Sequence, residues 1–181
     1  MTLYTTTPTD LFTRTEMEQR SFALLEELQI PYTYVDHEPA LTMEDCVEID
    51  KVLGVKMCKN LVLCNRQKTD YYLLLMPGDK VFKTKELSTQ INSARLSFAS
   101  GEVMEELLGV LPGSASVLGL LKDTNGNVQL LIDKDLLQEE YFGCHPCKNT
   151  SSIRFATKDL LEKILPSLQH EYIAVELKGE E

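Results

Sequence analysis

The chain has 181 residues, 43% of them apolar, and a formal net charge of −10. That is enough for one domain with a core, and the acidic balance excludes a general polyanion binder, DNA included, which needs a broad basic face. No apolar run is long enough to span a membrane, and the N-terminus lacks the basic and apolar regions of a secretion signal, so a cytoplasmic location is expected.

Residues 1–14 are Thr-rich and read as a flexible leader, with a single domain over residues 15–181. Thr15 with Glu18 is a capping box that opens a helix, which Pro31 ends. Residues 32–37 alternate as a strand. Thr42 opens a second helix, with Asp45 available to the cap, and Gly54 stops it. Residues 59–64 and 71–76 are apolar strands around a polar turn and predict a hairpin. A short helix over 85–90 and a short strand over 96–99 follow, and Ser100 caps a helix over 102–108. Residues 117–121 predict a strand, joined by an Asn125-Gly126 hairpin turn to a strand over 128–133. A short helix or turn over 135–139, an irregular segment over 143–150, a strand over 153–156, a helix over 157–168 and a last strand over 172–177 complete the chain. Hairpins mixed with helical crossovers predict an α+β fold, a single domain with a mixed sheet.

Two stretches carry the functional reading. Lys59-Asn60 places a cation and an amide at the mouth of an apolar strand. Residues 109–116 form a Gly/Pro/Ser loop in which Pro112-Gly113 is a strong turn signal and small residues let a ligand approach the backbone. These stretches are expected to meet and form a small pocket with a polar mouth. The loop is no phosphate-binding Walker loop, and no nucleophile elbow surrounds Ser114 or Ser116. Lys59 reads either as a phosphate or carboxylate contact or as a solvated edge residue. His145, followed by Pro146 with Asn149 and Thr150 close by, is a site candidate, whereas His37 reads as a strand-end residue and His170 as surface.

Cys144 and Cys147 form a C-x-x-C that could serve as a thiol–disulfide pair or half of a zinc site. Cys46, Cys58 and Cys64 stand singly, so five cysteines read as reduced thiols, with no metal site. Lysines and Arg95 concentrate in the middle of the chain, compatible with a local basic mouth on an acidic body.

The order of His37-Glu38-Pro39-Ala40-Leu41-Thr42, Lys59-Asn60-Leu61, Arg95-Leu96-Ser97-Phe98-Ala99, Gly109 through Ser114 and His145-Pro146 with Asn149-Thr150 resembles the YbaK / prolyl-tRNA-synthetase-associated editing domain family, in its free-standing prolyl-tRNA editing branch. The resemblance covers about residues 17–177. It implies a mixed, mostly antiparallel curved sheet flanked by helices, and cofactor-free, metal-free deacylation of alanyl-tRNA(Pro). Lys59, Gly113 and His145 would be catalytic, with Thr42, Asn60, Ser114, Ser116 and Asn149 binding substrate. Its implied partner is the acceptor end of tRNA(Pro), with transient contact to prolyl-tRNA synthetase or an elongation factor. A binding module that senses an amino acid or aminoacyl-tRNA without turnover is the alternative. Ala115 stands where the family usually has Val, and Val117 where it has Pro.

Overall fold

The computed structural model describes residues 1–40 and 42–179; Leu41 of the first motif and the terminal Glu180 and Glu181 lie outside the described residues. The elements run α1 (Glu16–Glu27), β1 (Tyr32–Asp36), α2 (Met43–Leu53), β2 (Lys59–Asn65), β3 (Tyr71–Met76), α3 (Thr84–Gln90), β4 (Leu96–Phe98), α4 (Gly101–Leu108), a 3-10 turn (Val117–Leu121), β5 (Val128–Asp133), α5 (Lys134–Leu137), β6 (Tyr141–Cys144), β7 (Ser151–Ala156), α6 (Thr157–Asp159), a π turn (Leu160–Ile164), α7 (Leu165–Ser167) and β8 (Tyr172–Val175).

The α+β expectation holds, and the strands divide into two sheets. One is five-stranded and mixed, in the order β4-β2-β3-β5-β8; the other is three-stranded and antiparallel, in the order β1-β7-β6. β2 and β3 form the predicted hairpin, pairing Lys59 with Met76 and Cys64 with Tyr71. Both faces of β3 are covered, which explains its unbroken apolar run. Leu73 and Leu75 enter the main core with Leu130, Ile132, Phe142, Ile153 and Phe155. Leu74 and Met76 enter a second core with Leu63, Leu131, Val175 and Leu87 of α3. The small sheet thus packs on one face of the large one and α3 on the other. α2 lies outside the small sheet, where Ile49 and Leu53 meet Val35.

Both predicted capping boxes form, Thr15 with Glu18 and Thr42 with Asp45, and Gly54 ends α2 in the left-handed region at φ 76°. Three expectations are corrected. Residues 117–121 are a 3-10 turn: Ser116 caps it by accepting from the Leu118 N–H at 3.1 Å, and a Cβ on Gly119 would lie 2.9 Å from the Leu108 carbonyl oxygen. Asn125-Gly126 therefore joins no hairpin. The Asp123 carboxylate accepts from the Asn127 and Val128 N–H groups, both at 2.9 Å, and turns the chain into β5, which runs parallel to β3. His170 is buried, its Nε2 3.0 Å from the Asp123 carbonyl oxygen, so it is a packed residue of the interior.

Two further differences are local. The start of the irregular segment is the strand β6, whose Phe142 pairs with Phe155 of β7. The helix over 157–168 widens to a π turn just before Pro166, which cannot donate to the helical ladder.

Residues 1–14, read from sequence as a leader, lie against the domain. Tyr4 bridges Tyr34 through its backbone and stacks on its ring at 4.9 Å. Arg14 reaches Asp10, Glu18, Asp36 and the Ser151 hydroxyl at 3.0, 3.2, 2.8 and 2.9 Å. It also lies over the rings of Phe22 and Tyr34.

Leu74 is fully buried at the centre of the large sheet. Leu74→Ala should destabilise the fold by about 2–5 kcal/mol, measured as a lowered urea midpoint at unchanged slope.

Candidate active site

The loop after α4 begins and turns on glycine. Gly109 closes the helix at φ 66°, and Gly113 sits at φ 89° as the third residue of a turn over 111–114. The Ser114 N–H closes that turn on the Leu111 carbonyl at 2.9 Å. Pro at the second position and Gly with positive φ at the third make it a type II turn. The Ser114 N–H is thereby engaged, whereas the Gly113 N–H takes no part in closing the turn.

This turn docks on the loop between β6 and β7. The Ser114 hydroxyl accepts from the Asn149 N–H at 3.1 Å, and a Cβ on Gly113 would lie 3.4 Å from Asn149 Nδ2. Beside them opens a cleft of about 300 Å³, with Met17, Leu111, Pro112, Ser114, Lys148 and Asn149 in its walls. It is of mixed polarity, with apolar side chains beside polar side chains and loop backbone.

Cys147 anchors the β6–β7 loop. Its φ is 65°, a conformation that costs a residue with a Cβ roughly 1–2 kcal/mol. Its buried Sγ accepts from the Ser21 hydroxyl at 3.6 Å. Burial pushes the Cys147 thiol up to about 12 and holds Cys144 well above the ordinary range. Both side chains are packed in the main core, Cys144 at 0% and Cys147 at 5% exposure.

His145 follows β6. Its Nδ1 lies 2.7 Å from the Ser151 carbonyl oxygen, which can only accept, so Nδ1 carries the proton and Nε2 presents a lone pair. Burial lowers its pKa below the ordinary 6.5; the Ser151 carbonyl opposes this, and His37, with its ring centroid 6.2 Å away, adds to it. The imidazole is therefore neutral at neutral pH.

β2 separates its two candidates. Successive strand residues face opposite ways. Asn60 and Val62 turn toward the main core, on the side of Ala115 and β6, whereas Lys59 lies on the face that Leu61 and Leu63 share with the second core. Asn60 Nδ2 donates to the Cys58 carbonyl at 3.2 Å, and its Oδ1 is buried without a hydrogen-bond partner. Lys59 Nζ donates to the Lys80 carbonyl at 2.5 Å. Lys80 itself reaches Asp133 and Asp135 at 2.9 and 2.8 Å and lines, with Cys58, a separate cleft of about 940 Å³.

Of the residues expected to form one pocket, Gly113, Ser114 and Asn149 are brought together. His145 stands in the same loop as Asn149, and Ser116 caps the following turn. Asn60 faces the main core from β2, bonded to Cys58, while Lys59 lies on the opposite face, bonded to Lys80 of the other cleft. Thr42 caps α2, accepting from the Asp45 N–H at 3.2 Å. The sequence reading missed Lys148 and Met17 as cleft walls and assigned His37 no role. Their only sequence signal is closeness to the motifs, since their placement depends on α1 and β1 packing here.

The site is thus a strained loop and a glycine turn at a small cleft, with a neutral histidine elsewhere in the same loop, an arrangement suited to holding a polarised carbonyl. Residues 37–163 match the model of the aminoacyl-tRNA editing domain. The chain belongs to that family, as its motifs suggested. Prolyl-tRNA editing protein ProX of Acetoanaerobium sticklandii is 32% identical over 162 residues, covering 90% of this chain and 98% of that protein. Prolyl-tRNA synthetase associated domain-containing protein 1 of Mus musculus is 30% identical over 154 residues, covering 82% and 87%. A solved structure described as a candidate trans-editing enzyme for prolyl-tRNA synthetase superposes with a TM-score of 0.67 at 17% identity, covering 91% of this chain and 99% of that one, so the fold is shared. Among the described residues no helix is long and apolar enough to cross a membrane.

Gly113→Ala should cost about 1–2 kcal/mol of stability through the left-handed φ and, by shifting the turn that Asn149 packs against, lower kcat/KM by more than that loss explains; denaturation and kinetics on the same preparation separate the two. His145, with its pKa depressed by the fold, contributes stability that is present above 6.5 and lost as pH falls through its folded value. Between pH 7 and 5 the unfolded chain takes up that proton first, so urea stability should fall with acid, and less steeply in His145→Gln.

Proposed function

We propose that this protein is a trans-editing aminoacyl-tRNA deacylase that hydrolyses alanine from alanyl-tRNA(Pro). The observation that carries the reading is the Gly113 turn clamped by Asn149 beside the 300 Å³ cleft. The family and the named relatives support tRNA editing as the general activity; alanine as the residue removed is what the resemblance to the free-standing prolyl-tRNA editing branch implies.

Hydrolysis of the ester needs a held carbonyl and a delivered water. The Gly113 N–H stabilises the oxygen as it gains negative charge; removing one such donor costs roughly 10²–10³-fold in other hydrolases. The terminal 2′-OH of the tRNA helps to activate the water, while the Nε2 lone pair of His145 orients it. Asn149 keeps the Gly113 turn in place, and Ser114 holds Asn149. Asn60 supplies an unpaired acceptor for a substrate N–H or O–H. Lys59, with one ammonium donor on Lys80 and two to spare, contacts the phosphate of the terminal nucleotide. Alanine enters and proline does not, because steric exclusion separates them further than the roughly 1–3 kcal/mol that one methylene is worth in affinity. The partners are the acceptor end of tRNA(Pro) and, transiently, prolyl-tRNA synthetase or an elongation factor, in the cytoplasm; DNA and membranes are not partners.

The test compares alanyl-tRNA(Pro), prolyl-tRNA(Pro) and alanyl-tRNA(Ala) as substrates, with chelator present. Loss of alanine from the first alone is expected, and Lys59→Ala should abolish most of it. Hydrolysis of none of the three overturns the enzyme assignment in favour of a binding module, and preferred hydrolysis of prolyl-tRNA(Pro) overturns the alanine assignment.

A further inference from the structure

Behind His145 stands a second imidazole that the proposed reaction leaves unused. His37 follows β1, and its backbone N–H extends the β1–β7 pairing by donating to the Thr150 carbonyl at 2.9 Å. Its Nδ1 lies 2.7 Å from the Glu38 carbonyl oxygen and its Nε2 lies 2.8 Å from the Ser152 hydroxyl. Ser152 is completely buried, and its hydroxyl also lies 3.4 Å from His145 Nδ1. A fully buried hydroxyl thus sits between two histidine rings.

Proton accounting orders this chain. The Glu38 carbonyl can only accept, so His37 Nδ1 carries a hydrogen and, in the neutral ring, Nε2 is an acceptor. The Ser152 hydroxyl must then give its only proton to His37 Nε2. What Ser152 turns toward His145 is a lone pair, which sits well beside an Nδ1–H and poorly beside a bare nitrogen. The Ser151 carbonyl makes the same demand from a shorter distance. That carbonyl is itself steadied, because the Ser151 side chain is hydrogen-bonded to Asp36 and to Arg14.

We propose that His37, acting through Ser152, is a positioning residue that reinforces the Ser151 carbonyl in holding His145 as its Nδ1–H tautomer and so keeps the Nε2 lone pair available to the reacting water. The inference rests on the editing reading for its kinetic consequence, but the tautomer itself is a property of the resting protein. Without His37 the Ser152 proton is released and can compete at His145 Nδ1 with the shorter bond to the Ser151 carbonyl, which raises the share of the Nε2–H form and lowers the share with the lone pair free. His37 therefore acts at one remove, as a second-layer orienting group does for a ligating or catalytic imidazole.

Two substitutions separate this role from mere packing. In His37→Gln the amide can accept from Ser152 and donate to Glu38, as the imidazole does; in His37→Phe the ring volume remains and the hydrogen bonds are lost. With alanyl-tRNA(Pro) as substrate, His37→Phe should lower kcat about tenfold with KM within twofold, and His37→Gln should recover most of the rate. Imidazole ¹⁵N spectra of the substrate-free protein should show His145 as Nδ1–H in the wild type and in His37→Gln, with a several-fold larger Nε2–H fraction in His37→Phe. Equal tautomer fractions in all three proteins would overturn the proposal whether or not the wild type deacylates any tRNA. An inactive wild type with the expected spectra would instead overturn the editing reading and leave the positioning role standing. Equal kcat in the two variants, with both folded by thermal melt, would show that the ring acts by bulk alone and also overturns it.

Discussion

The strand β3 imposes the constraint on which the rest of the molecule depends. Leu73 and Leu75 are buried on one side of the sheet and Leu74 and Met76 on the other, all at 0% exposure. A strand buried on both faces cannot slip by one residue without exchanging its two apolar sets between cores of different shape. Its register therefore sets that of β2, and β2 in turn sends Asn60 and Lys59 to opposite faces. The candidate site inherits its sidedness from hydrophobic packing some distance away.

The site itself is polar chemistry hung on loops, held by a small number of exact contacts. Gly113 has the φ its turn requires, Asn149 packs against it, and Cys147 takes a left-handed conformation to bring the loop round. His145 and Ser151 leave and enter the small sheet from adjacent strands, β6 and β7, so their hydrogen bond follows from the strand pairing. Arg14 connects this layer to the N-terminal residues through Asp36 and Ser151. Strain and buried polar groups gathered at one place are what a functional site imposes on a fold otherwise satisfied by apolar packing.

Electrostatics fit the same division. The body is acidic, which suppresses indiscriminate binding to nucleic acid, while Lys80 and Lys148 each line one of the two clefts and Lys59 bonds the Lys80 carbonyl. Lys80 is committed to Asp133 and Asp135, so its charge serves the architecture. Lys59 keeps donors to spare and Lys148 stands in the wall of the smaller cleft, which makes contact at one end of an RNA reasonable where coverage of its whole backbone is not.

Much of this protein was legible in its residues because the signals are local. The capping boxes at Thr15 and Thr42, the glycine stop at Gly54, the β2–β3 hairpin and the Pro112-Gly113 turn each depend on a few neighbouring side chains and on backbone sterics. The order of the motifs was enough to place the chain in its family. What misled was equally physical: residues 117–121 have strand-like composition, yet Gly119 packs against the carbonyl of Leu108, and Asn125-Gly126 serves a turn that Asp123 builds. The meeting of Gly113 with Asn149, the separation of Lys59 from Asn60, the burial of His170 and the pairing of His37 with His145 through Ser152 were decided by tertiary structure alone. Each depends on which strands pair and which faces are buried, and those outcomes are fixed by contacts between residues far apart in the chain.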